Sequence, residues 1–552
     1  MNISDFIINH SFAQTVAEAS GQDKMLFFPP GEYHIHPGAC TKRYCYFSNN
    51  DEGAKDIAIL LEDLDGFTVS GYGATLIFHG RISPLCAIRC RNLKVEGLSI
   101  DFEDSFVSDA DLVRRENGIA WFRFAGKHQV RDGKMVFTDD FYNNLGGFLQ
   151  FFPYSRELRE IPFDARSVLI ANQNVLWRDG LIGFMDCFGE SKSDAFIVKH
   201  ELRLCPGLVF DGCENLRLKD VTVHHAAGMG FLIQNSENCE IDGAVVEPRG
   251  RRASVSDDAL HIADCRGAIL VKNCRFSGNL DDTINIHGVF RKLKSRIPGG
   301  KMYYLEAGHY QQQGVFNVKA GDVLELRNRQ TGEPYNRIEV KSIQPINKAM
   351  IKVDLDESEL SERFIQGDPA LVLGTMADLT ILNTHCSPLN GRGILASGLK
   401  NLLISGCTIH SAHAGVFISG DHGFWYESGP VEKTVIENNT FDNCDYSLYG
   451  PTQEPLAVFP ELDKLAEDFY YHDSITVRNN RFRAARRTLI SVMSTREVNV
   501  SDNEWELDDR YPFVPRQEAG YHFTTADSPT VAILHCRKVI SSSNWKEQRT
   551  EP

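Results

Sequence analysis

The chain has 552 residues, 42% of them apolar and 24% charged, a composition typical of folded soluble domains that excludes a disordered or collagen-like chain. Asp and Glu outnumber Lys and Arg 74 to 58, for a formal charge of −16. That balance argues against nucleic acid or an anionic membrane as the main partner and leaves a neutral ligand the easiest to accommodate.

No apolar run is long enough for a membrane-spanning helix. Met1 to Ser20 lacks the basic start, apolar stretch and small-residue cleavage site of a secretory signal. A periplasmic or secreted location would need a leader already removed, and a cytoplasmic one would not. Fourteen Cys without paired CxxC sites predict buried, reduced thiols rather than structural zinc or a disulfide framework.

In chain order, Phe12, Val16 and Ala19 predict a short helix covering an open first coil, which would shield its edge. Leu26 to Tyr33 then reads as strand, turn, strand, with further coils at Phe67, Val69, Gly71 and at Leu93, Val95, Leu98, Ile100. From about Phe106 to Cys205 the sequence turns aromatic and carries hairpin signals, such as Asp132-Gly133 between alternating residues. A short phrase then recurs: alternating apolar residues, an Asn, Asp or Gly corner, and another apolar pair. Leu218 and Ile241, Ile381 and Ile404, and Val477 and Val500 are each 23 residues apart. Period-two alternation with Gly and Asn corners means short strands, and units this small must stack to bury a core. The rhythm is lost again between about Val289 and Gly374.

The expected architecture is all-β: a right-handed parallel β-helix with two inserted small β-barrel or sandwich domains. The divisions are a cap and first coils over 1–105, inserts over 106–205 and 289–376, coils over 206–288 and 377–510, and a C-terminal tail or cap over 511–552.

One repeat pair stands apart. Ser256-Asp257-Asp258-Ala259-Leu260-His261-Ile262 aligns, one coil of 24 residues later, with Leu280-Asp281-Asp282-Thr283-Ile284-Asn285-Ile286. Neighbouring coils lie about 4.8 Å apart, so stacked carboxylates repel unless something holds them or one stays protonated. Inverting glycoside hydrolysis supplies a use for such crowding: one carboxylic acid protonates the leaving oxygen and a carboxylate deprotonates water. A Ca²⁺ site is the competing use, as in β-helix polysaccharide lyases with a basic Lys or Arg, for which Arg249, Arg251 and Arg252 lie close in sequence. A non-catalytic carbohydrate-binding β-helix is the third reading.

The phrases "SDDALHI" and "NLDDTINIHG" resemble glycoside hydrolase family 110, bacterial exo-acting α-1,3-galactosidases that remove terminal galactose from linear and blood-group-B glycans. The resemblance implies inversion without metal or organic cofactor, with Asp281 as general acid and Asp258 and Asp282 jointly activating water. Its implied partner is a glycoconjugate with terminal α-galactose, and a homodimer is compatible with it. Asp258 and Asp282 occupy equivalent rungs, whereas Asp281 reaches the same ligand only where the chain bends. Asp257, His225, His261, Asn285, His287, Arg392 and Trp425 are the candidate substrate-binding residues, Trp425 in the aromatic loop Asp421 to Glu427 and Arg392 on the rung equivalent to Asp282. His224 lies near the same rungs.

Overall fold

The computed structural model describes residues 19, 21, 24–137, 147–189, 193–200, 203, 205–295, 302–447, 454–485, 488–512, 524–525, 530–541 and 546–548. The cap helix expected around Phe12 and Val16 lies outside them, although Ala19 is buried in the main core.

The repeat phrase becomes a three-faced parallel β-helix. Leu26 pairs with Val69, Val69 with Val95, Val95 with Leu218 and Leu218 with Ile241. The ladder continues through Val271, Ile381, Ile404, Ile436, Val477 and Val500, each in register with its predecessor. The 23-residue steps are therefore true coil-to-coil pairings. All these side chains are buried in one continuous cluster, each stabilising the fold by roughly 1.5–3 kcal/mol relative to exposure. Corners are turned by Asn residues with positive φ, among them Asn215, Asn238, Asn273, Asn438 and Asn479, because Asn tolerates the left-handed region better than other side chains. The fourteen cysteines are all free thiols.

Both interruptions leave the ladder and return to it. Within 106–205, seven strands form an antiparallel sheet, with a separate hairpin of His128–Arg131 and Lys134–Phe137. Its turn residues Asp132 and Gly133 both have positive φ, as a tight two-residue hairpin demands. The second insert closes into a six-stranded barrel from Arg291–Ser295 to Pro369–Val372, around Leu293, Leu305, Leu324, Leu326 and Ile338. Parallel pairing also runs on past residue 510: Val531–Ser541 stacks on Ile490–Ser501. Among the described residues no helix is long and apolar enough to cross a membrane.

The inserts meet the coils where the unusual acidic rungs lie. Phe152, Tyr154, Ile161, Ala195 and Ile197 of the first insert pack on Ala253, Leu280 and Leu389. From the barrel side, His309 packs against Trp425 with ring centroids 4.7 Å apart and the planes tilted by 55°.

Candidate active site

Coil stacking places the acids. Strand Leu260–Ala263 pairs with Ile284–Val289, which pairs with Ile394–Ala396. Just before these strands, the Gly230 N–H donates to the Asp258 carbonyl, Ala259 N–H to Asp282 and Thr283 N–H to Arg392, at 2.9, 3.1 and 2.9 Å. Met229, Asp258, Asp282 and Arg392 thus form one vertical file. Asp281 joins them because the chain bends: the Asn279 side chain donates to the carbonyls of Asp281 and Asp282 at 2.6 and 3.0 Å. Beneath that bend, Gly391 has φ +95°, and a Cβ there would stand 2.3 Å from the Asp281 carbonyl carbon and 2.6 Å from the Asp282 nitrogen. The close approach needs glycine.

Asp258, Asp281 and Asp282 line one cavity of about 490 Å³, within the usual range for a small-ligand site. Each brings one oxygen within 4.8 Å of the other two. Asp282 is gripped by Arg392, whose Nε donates to Oδ1 at 2.8 Å and Nη2 to Oδ2 at 2.7 Å, while the Arg392 backbone N–H adds 2.7 Å to Oδ1. Asp281 accepts from Arg203 Nη2 at 2.8 Å and keeps 31% of its side chain exposed, the most open of the three. Asp258 is buried, with Oδ1 accepting the Asp282 N–H at 3.1 Å and Oδ2 facing His261 Nδ1 at 2.7 Å.

Electrostatics separate them. Burial raises the Asp258 carboxyl well above its usual range, with Asp281 and Asp282 adding to the effect and Arg203 opposing it. Burial also raises Asp281, partly offset by Arg203. Asp257 goes the other way: burial would raise it, but Lys199 and Arg203 outweigh that and lower it.

Asp257 does not face the ligand. Its Oδ1 accepts from Lys199 at 2.6 Å and Arg203 at 3.0 Å, and its Oδ2 from Ser256 at 2.8 Å, so it anchors the arginine that holds Asp281. His225 is remote from the trio, accepting from the Phe106 N–H at 2.9 Å where the first insert begins. His224 contacts the Glu247 carbonyl at 3.2 Å. His261 and His287 lie buried behind Asp258 and off the cavity wall. Asn285, Arg392 and Trp425 do line it. The Asn285 Oδ1 is buried with no hydrogen-bond partner among the described residues.

The rest of the wall comes from distant segments. Asn49, near the N-terminus, donates to Glu427 Oε1 and accepts from barrel residue Gln312 at 2.6 Å. Burial opposes the Glu427 charge, but His287, His261, the Asn49 amide and Arg203 outweigh it and hold its pKa down to about 2. The Asp421 carboxylate accepts the backbone N–H groups of Gly423, Phe424 and Trp425, which folds the aromatic loop into a turn. Phe424, Trp425, Glu427 and Glu461 also line the cavity. Arg203, Lys199, Asn49 and Glu461 carry no sequence signal, since none belongs to a repeat.

A Ca²⁺ ion suits this donor set poorly. Guanidinium groups already occupy Asp281 and Asp282 and would repel a divalent cation. The basic residues considered for lyase chemistry are also engaged elsewhere: Arg251 donates to Asp101 at 2.9 Å and Arg252 to Asp111 at 2.8 Å, while Arg249 lies 4.0 Å from Asp101.

Residues 342–507 match the family model "Right handed beta helix region". α-1,3-Galactosidase B of Akkermansia muciniphila is 26% identical over 514 residues, covering 88% of this chain and 62% of that enzyme. α-1,3-Galactosidase A of Bacteroides fragilis is 24% identical over 510 residues, covering 89% and 83%. α-1,3-Galactosidase B of Bacteroides fragilis is 27% identical over 524 residues, covering 86% and 84%. The chain is thus similar over most of its length to curated α-1,3-galactosidases, which is consistent with the resemblance to glycoside hydrolase family 110.

Proposed function

We propose that this chain is an exo-acting α-1,3-galactosidase that hydrolyses terminal Galα1,3Gal linkages with inversion and needs no metal or organic cofactor. The observation that carries the reading is the convergence of Asp258, Asp281 and Asp282 in one cavity, with the kinship above as independent support.

Asp281 is the general acid. It is the most accessible of the three, and burial raises its pKa, so it can arrive protonated and give that proton to the leaving oxygen. Asp258 and Asp282 share the water. Both oxygens of each already accept or share a hydrogen bond with the protein, which orients them. A second lone pair remains for a water proton on both Asp258 oxygens and on Asp282 Oδ2, whereas a covalent bond to sugar would disrupt the Arg392 grip. The spacing within 4.8 Å is tighter than the about 6.5–9.5 Å of most inverting pairs, so the reaction's stereochemistry is the decisive test. Phe424 and Trp425 offer ring faces to the sugar's apolar side, and Asn285, Glu427 and Glu461 offer polar groups to its hydroxyls.

Asp281→Asn should leave the chain folded and cut galactose release from Galα1,3Gal by about 10²–10⁴-fold; retained turnover removes Asp281 from the mechanism. NMR of fresh product should show β-galactose first. Initial α-galactose would refute inversion. A parallel screen of linear and fucosylated acceptors reads the substrate range.

A further inference from the structure

Behind the cavity wall runs a buried chain of groups that ends on Asp258. The Gly288 carbonyl lies 2.8 Å from His287 Nδ1. His287 Nε2 is 3.1 Å from His261 Nε2, and His261 Nδ1 is 2.7 Å from Asp258 Oδ2. Each of these three contacts needs one hydrogen. A carbonyl only accepts, so His287 Nδ1 carries the first, and the other two lie between the rings and between His261 and Asp258.

A carboxylate and two neutral imidazoles supply two such hydrogens. The completed chain holds three, one proton in excess. That proton has three resting places: on Asp258 as a carboxylic acid, on His261, or on His287. The last place is the best compensated, because Glu427 Oε1 lies 3.9 Å from His287 Nε2.

We infer that His261 and His287 form a proton-holding relay that keeps Asp258 ionised as the water-activating base. The inference rests on the hydrolase reading above. Asp258 faces Asp257, Asp281, Asp282 and Arg203, and His261 faces His287, Glu427 and Arg203. Burial and these neighbouring charges together favour the proton on Asp258 over His261. Moving the excess proton along the chain toward Glu427 frees Asp258 to act. In the reaction the water O–H bond breaks as its oxygen bonds the anomeric carbon, and that proton goes to Asp258 or Asp282. The bond to the leaving oxygen breaks as Asp281 protonates it. His261 and His287 are positioning residues, acting only through Asp258.

The test uses the full chain. His261→Asn and His287→Asn cannot hold the excess proton, so Asp258 should lose its own proton only at higher pH. The acidic limb of kcat/KM on Galα1,3Gal should move to higher pH in both variants. In His261→Asn, kcat should fall about 10²-fold or more with KM changed less than about threefold. Folded variants whose pH profiles superimpose on wild type would overturn the relay. Nitrogen NMR of histidine-labelled wild type reads it without activity: one of the two rings should carry a proton on both nitrogens. Two neutral rings, with the excess proton left on Asp258, would overturn it. Wild-type inactivity on the disaccharide would instead refute the hydrolase reading, and the ring resonances still decide the relay.

Discussion

Gly391 gives the sharpest test of how the coil stack positions the acids. Gly391→Ala meets two costs. A left-handed φ of +95° disfavours an L side chain by about 1–2 kcal/mol. The new Cβ would also stand 2.3 Å from the Asp281 carbonyl carbon, and because that obstacle is backbone it cannot rotate aside, adding about 1–3 kcal/mol of overpacking. If the stack holds, stability falls by about 2–5 kcal/mol in all. If the Asp281-Asp282 bend yields, the acids move, and a displacement of about 1 Å costs on the order of 10²-fold in turnover. Gly250→Ala is the control: its φ is +70°, but its Cβ would meet nothing within 4 Å, so backbone strain alone applies. Urea midpoints and kcat/KM on Galα1,3Gal should separate the two variants. A Gly391→Ala protein equal to Gly250→Ala in both would refute the claim that this approach holds the site.

Further outcomes follow from the charges. Arg203→Met removes the cation that lowers the Asp281 pKa; the acid works only while protonated, so the basic limb of kcat/KM should move to higher pH, and an unmoved limb would exclude Asp281 as the titrating acid. Asp257→Asn strands Lys199 and Arg203 around a neutral amide and should lower stability by about 3–5 kcal/mol, read as the urea midpoint; a substrate-binding role would change KM and leave the midpoint alone. Exhaustive EDTA treatment should leave galactose release unchanged, whereas loss restored by Ca²⁺ would return the trio to ion binding.

Much of this protein is legible in one dimension because a β-helix repeats. Once Leu218, Ile241 and the later pairs show a coil of 23 residues, burial of their alternate side chains requires that equivalent positions stack. The same reasoning aligns Asp258 with Asp282 and Arg392 before any coordinates are known. A repeat says nothing about segments outside it. Arg203 lies at the end of the first insert, Asn49 in an early loop, and Gln312 in the barrel, so their meeting at Asp281 and Glu427 depends on how the inserts dock. Nor does a file of stacked residues reveal which atoms face inward. Asp257 and His261 both read as substrate-binding residues, yet in the fold Asp257 is turned toward Lys199 and Arg203 and His261 lies behind the wall. Sequence by itself determined the coil, its period and the acidic rungs, because burial enforces their register. Tertiary structure alone decided which charges face the cavity and which hold those in place, because that depends on contacts between segments with no shared pattern.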